Sequence, residues 1–243
     1  MSPDSRHHRG AHPADKALFV AEQLPKLQTA VSELSWLLSH AYPIKAALKL
    51  VGDRHGLTER QRLAVWRAAC SNADRTRRKA HCLDVESLDG ADIIVDGFNL
   101  IITIEAMLSG GVLILCRDGC IRDLSSVHGS YRSVDETESA ILLIGQALEA
   151  LHPRSVEWVL DRPISNSGRL ARRIRSLAGE RGWPWSVELA FNPDGEIISS
   201  GKIVISSDGP LLDRVEKWVN FNQHLVEKHT GQPWLIDLSV DVQ

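Results

Sequence analysis

Between Pro13 and about Cys82 the apolar residues recur at helical spacing and nowhere alternate. Leu27, Val31, Leu34, Leu37 and Leu38 fall on one stripe of 3.6-residue period, and Ile44, Ala47, Leu48 and Val51 on another. A helix ending near His55-Gly56 would take Gly56 as its left-handed cap. The next would start at Thr58, with Gln61 completing a capping box. This is a helix-turn-helix outline. After Asp89-Gly90 the grammar changes to five apolar, β-rich runs: Asp92 to Val95, Val112 to Cys116, Val156 to Leu160, Trp185 to Ala190 and Lys202 to Ser206. Helical spacing fills Asn99–Ser109, Thr137–Leu151 and Gly168–Arg181, with Gly110-Gly111 as a stop. Buried, non-alternating strands that take turns with helices predict an α/β fold with a doubly wound parallel sheet. The expected organisation is a flexible terminus over 1–13, a small all-helical, helix-turn-helix-like module over 14–88, and an α/β domain over 91–243.

Composition adds little until it is divided. The chain has 243 residues, 43% of them hydrophobic, which suffices for a core and excludes disorder. No apolar run approaches a membrane span, and Ala17 to Ala21 is too short for a signal peptide, so a cytoplasmic protein without a membrane partner is expected. Four cysteines without a Cys-x-x-Cys pair read as reduced thiols. The net charge of −3 separates into +4 over residues 1–90 and −7 over 91–243. The basic part includes Arg60, Arg62 and Arg67 on the second helix of the outline, then Arg75, Arg77, Arg78 and Lys79. Such a face either binds phosphates of a nucleic acid, with Arg60 and Arg62 as contacts, or pairs with the acidic half of the same chain.

The acidic half concentrates its chemistry at strand ends. Asp96, Asp118, Asp161 and Asp208 each follow one of the predicted strands, at the edge where doubly wound sheets gather ligands. Crowded carboxylates are destabilising unless cations neutralise them, and an all-oxygen donor set suits Mg²⁺ or Mn²⁺. Alternatively, each Asp caps a helix or opens a turn, for which Asp-Gly is a common device.

The segment Val95-Asp96-Gly97-Phe98-Asn99-Leu100 resembles the opening motif of PIN-like and NYN-type ribonucleases, and Ser206-Ser207-Asp208-Gly209-Pro210-Leu211-Leu212 is similar to the segment that closes those domains. The whole chain also resembles a prokaryotic two-part family known only as domains of unknown function, a helical module followed by a PIN-like part. The resemblance implies a PIN-like sheet over roughly 92–215. It also implies a divalent metal on Asp96 and Asp208, with Asn99 orienting the first acid or the substrate, and Asp161 matching a third acid. A further family acid has three candidates, Glu188, Asp194 and Glu196. The activity so implied is metal-dependent hydrolysis of a phosphodiester, expected in RNA, in which the cation acidifies water and neutralises the phosphate.

Two loops invite a substrate role. Residues 117–132 collect Arg117, Arg122, His128, Tyr131 and Arg132, which could grip a phosphate, stack on a base or, through His128, act as general acid; equally, Arg122 and Arg132 could pair with Asp118 and Asp123. Ser165, Ser167 and Gly168 precede a basic helix and either contact phosphate or cap that helix. The rival functions are a non-catalytic nucleic-acid-binding or partner-docking protein, and a metal-dependent enzyme acting on a small phosphorylated molecule. Self-association as a homodimer is a further expectation.

Overall fold

The structure is a computed structural model that describes residues 9–125 and 131–241. Five helices come first: α1 (Asp15–Leu18), α2 (Leu24–Ser39), α3 (Ile44–Arg54), α4 (Glu59–Ala68) and α5 (Asn72–His81). The helix-turn-helix outline is present in α3 and α4, with Gly56 at φ +57° between them and the Thr58–Gln61 capping box formed. Then follow β1 (Cys82–Leu83), β2 (Asp92–Asp96), α6 (Gly97–Leu108), β3 (Leu113–Leu115), β4 (Ile121–Asp123), α7 (Thr137–Glu149), β5 (Ser155–Asp161), α8 (Ser167–Arg181) and β6 (Trp185–Ala190). The chain closes with α9 (Pro193–Ser199), β7 (Ile203–Ile205), α10 (Gly209–Leu212), β8 (Trp218–Val219), α11 (Phe221–Lys228) and β9 (Leu235–Asp237).

Six strands form one parallel sheet in the order β1-β8-β7-β2-β5-β6. From β2 the chain steps outward through β5 to β6, then returns to the other side of β2 with β7. Strand order therefore reverses at β2, the position where parallel sheets open a crevice at their carboxyl ends. Alternate residues of β2 serve opposite faces: Ile93 and Val95 join the core that contains α6, while Ile94 joins Val204, Leu211 and Trp218 on the other side.

The second predicted strand is not in this sheet. β3 pairs antiparallel with β4 and parallel with β9 in a separate three-stranded sheet. The cause lies in α6, which is buried on every side from Gly97 to Met107. A helix apolar all round needs a layer on each face. The parallel sheet gives one, and β3 and β4 supply part of the other, Leu113 and Ile121 facing this core while Ile114 points away.

Ile114, Cys116, Ile236 and Leu238 share a second core with Leu27, Val31 and Leu34 of α2, Val51 of α3 and Ala64 and Val65 of α4. The helical region thus packs its apolar stripes on the outer sheet. Residues 9–13 are better anchored than a frayed end: Arg9 pairs with Glu105, buried in α6. No helix among the described residues is long and apolar enough to cross a membrane. All four cysteines are free thiols.

Candidate functional site

Three of the predicted acids lie along the sheet edge where the topology reverses. Asp96 ends β2, Asp161 ends the neighbouring β5, and Asp208 follows β7 on the other side of β2. Asp194 stands in the first turn of α9, which Asn192 caps by accepting the Gly195 N–H at 3.2 Å. Asp194 raises the pKa of Asp96, Asp161 and Asp208 alike, so it, rather than Glu188 or Glu196, is the fourth acid of this edge.

The Asp96 carboxyl is pushed up to about 7, first by burial and then by the charges of Asp208, Asp161 and Asp194, against a lowering hydrogen bond from Ser206. Burial also raises Asp161 and Asp208; for Asp208 the Leu211 N–H and the charges of Arg122 and Arg78 oppose the rise. None of the four acids forms an ion pair among the described residues. Elsewhere the same fold pairs its acids: at the opposite end of β2, Asp92 takes both Arg154 and the Ser155 hydroxyl. An unpaired acid set at one edge is a costly arrangement that a hard cation would relieve, and its donors are all oxygen. No three His, Cys, Asp or Glu side chains converge at ligating distance among the described residues, so a shared ion would require these side chains to close in.

Hydrogen bonds brace the closing segment. Ser206 Oγ donates to Asp96 at 2.8 Å and accepts from the Asp208 N–H at 3.0 Å, linking the two acids. Asn99 Oδ1 accepts both the N–H and the hydroxyl of Ser207, at 2.8 and 2.9 Å, so Asn99 holds the Asp208 loop rather than Asp96. Asn222 Nδ2 donates to Ser207 Oγ at 3.1 Å. Helix capping accounts for part of the pattern: Asp208 accepts the Leu211 N–H at 3.1 Å, whereas Asp96 makes no cap bond to α6. Gly97 is required by packing, since a Cβ there would lie 2.6 Å from Leu160 Cδ2 and 3.1 Å from the Val159 carbonyl.

Asp118 leaves the acid set. It follows β3, outside the parallel sheet, and Arg122 grips it bidentately at 3.0 and 2.7 Å while Arg78 adds a bond at 2.7 Å. Burial alone would raise this carboxyl, but the two guanidinium groups hold it well below the usual carboxylate range. Most expected substrate contacts are likewise spent inside the protein. Arg122 donates to the Ser207 carbonyl at 2.6 Å, and Arg117 to the Cys70 carbonyl at 2.8 Å and to Asn72. Tyr131 is fully buried and donates to Glu105 at 2.5 Å. Arg60 binds buried Asp15, and Arg62 binds Asp53 at 2.8 Å and the Leu57 carbonyl at 3.0 Å. Arg67, Arg75 and Arg78 pair with Asp123, Asp241 and Asp213, so the basic helices answer the acidic half of their own chain.

Of the remainder, Arg132 is exposed and its carbonyl accepts from Arg9 at 3.1 Å. Ser165 is exposed, and its carbonyl takes the Tyr131 N–H at 3.1 Å. Ser167 is buried with its hydroxyl on the Arg162 carbonyl at 3.3 Å. Asn166, at φ +69°, opens α8 without a side-chain cap. His128 lies outside the described residues.

Comparison with known proteins places two segments. Residues 85–224 match the family described as domain of unknown function DUF5616, and residues 26–81 match that described as protein of unknown function DUF434. The uncharacterized protein MJ0935 of Methanocaldococcus jannaschii is 27% identical over 186 residues, covering 76% of this chain and 88% of the relative. No solved structure matches.

Proposed function

We propose that this chain, which belongs to the family described as domain of unknown function DUF5616, is a metal-dependent nuclease of PIN-like type that hydrolyses phosphodiester bonds in RNA. The observation that carries this reading is the set of four aspartates at the switch point of a parallel sheet, unpaired among the described residues in a protein that pairs its acids elsewhere. Asp96, Asp161 and Asp208 would hold Mg²⁺ or Mn²⁺, with Asp194 beside them. When bound, such a cation supplies positive charge against the phosphate and acidifies water. The protein's own residues do the rest. Ser206 keeps Asp96 and Asp208 in register by bonding both, and Asn99 and Asn222 fix Ser207 so that the Asp208 loop cannot drift. The raised Asp96 carboxyl must lose its proton to act as a ligand, so affinity for the cation rises with pH.

The test is cleavage of a mixed RNA panel by the full chain with Mn²⁺. Wild-type protein is expected to cut, and Asp96→Asn and Asp208→Asn each to lose at least about a hundredfold, the scale of lost charge stabilisation at a reacting phosphate. Absence of cutting by the wild type, or unchanged cutting by both variants, would sink the nuclease reading.

A further inference from the structure

Beside the acids stands an aromatic ring that the fold has no use for. Phe191 is 74% exposed, the most exposed of the large apolar side chains among the described residues. It follows Ala190 at the carboxyl end of β6, and the guanidinium of Arg162, which follows Asp161 at the end of β5, lies 4.7 Å from its ring centroid. The two positions are fixed by the sheet itself: Asp161 and Ala190 are register partners, and the Arg162 N–H bonds the Ala190 carbonyl at 2.8 Å. Ring and guanidinium are therefore each one residue beyond a rigid strand end, adjacent to Asp161 and three residues before Asp194.

The guanidinium over this ring makes no ion pair among the described residues. Arg162, and Arg169 and Arg172 on the following helix α8, are exposed, and their guanidinium groups have no ion-pair partner among the described residues. This contrasts with the arginines of α4 and α5, which pair internally. An exposed aromatic at a strand end with an unpaired guanidinium beside it matches what an unpaired nucleobase and its phosphate require, since stacking supplies affinity and the cation addresses the backbone. Within a duplex the bases are stacked on one another, and only the terminal pairs offer a face to the ring.

We propose that Phe191 and Arg162 form a platform for a single-stranded nucleic acid, an unpaired base stacking on Phe191 so that the adjoining backbone is delivered to the edge formed by Asp96, Asp161, Asp194 and Asp208. This deepens the nuclease reading and rests on it for what happens to the strand once bound.

The experiment measures binding of the full chain to a fluorescent oligouridylate at fixed salt with EDTA present, so that cleavage plays no part. Phe191→Ala is expected to weaken binding about tenfold, Phe191→Trp to retain it, and a strand made abasic along its length to bind the wild type as poorly as the normal strand binds Phe191→Ala. Arg162→Ala should weaken binding and reduce its salt dependence. Equal binding by Phe191→Ala and wild type, full retention on the abasic strand, equal affinity for a blunt RNA duplex, or no binding by the wild type would each overturn the platform. Loss of the platform alongside Asp96-dependent cleavage would remove this inference alone. Phe191-dependent binding by a protein that cuts nothing would remove the nuclease reading alone.

Discussion

At the scale of single residues, Asp96 carries a stability signature as well as a candidate role. Its carboxyl is raised to about 7 in the folded protein against an unfolded value near 3.8. A group raised in this sense contributes its stability below the unfolded value, and that contribution is lost as pH rises through about 7. Asp96→Asn keeps the shape and removes the titration. In the absence of divalent cations, the variant is therefore expected to melt above the wild type by a few degrees on the alkaline side of that value, the difference shrinking on acidification. Thermal melts across the pH range check this, and a constant offset would show that Asp96 does not titrate as described. Most of these residues are legible in sequence because strand ends are: Asp96, Asp161 and Asp208 each terminate an apolar run. Asp194 is not, since Glu188 and Glu196 lie near it in sequence and no motif there separates the three. Phe191 escapes as well, because a lone aromatic after a strand has no spacing that separates an exposed ring from a core one.

At the scale of elements, the main work is done by a buried ionic lattice. Arg78 from α5 bonds Asp118 and Asp213, and Arg122 from β4 bonds Asp118 and the Ser207 carbonyl, so helix, outer sheet and the Asp208 loop are tied through one carboxylate. Asp118→Ala would leave buried Arg122 without a carboxylate partner and Arg78 with Asp213 alone. A loss of about 3–5 kcal/mol is expected, read from the urea midpoint, because breaking a buried pair leaves an uncompensated charge. A change of less than about 1 kcal/mol would mark the lattice as a solvated surface pair instead. This element was misread in the sequence for a definite reason. The run from Val112 to Cys116 is short, apolar and followed by Arg117-Asp118-Gly119, which is indistinguishable locally from a strand of the parallel sheet. What sends it to a separate sheet is the all-round burial of α6, a tertiary demand that periodicity records only as a helix.

At the scale of the whole molecule, the division of charge follows one of the two readings the sequence allows, internal pairing. The basic helices and the acidic half meet across internal pairs such as Arg67–Asp123 and Arg78–Asp213, so much of the positive charge holds the two parts together. What is left uncompensated is local: four aspartates at one sheet edge and Arg162 over Phe191. The capping box at Thr58 and the five strand runs were legible because they depend on neighbours in sequence, whereas the sheet that the Val112 to Cys116 run joins does not. Which cation meets which acid was legible only where the two are near in sequence, as for Arg122 and Asp118, because the other pairs are set by packing. The proposed activity requires the carboxyl edge to take a divalent cation. Titration of the full chain with Mn²⁺, followed by electron paramagnetic resonance about one unit above and below the Asp96 value of about 7, tests it directly. The predicted result is a bound ion whose affinity rises with pH and is lost in Asp96→Asn and Asp208→Asn. Mn²⁺ binding that ignores both substitutions, or no binding on either side of that pH, would contradict it.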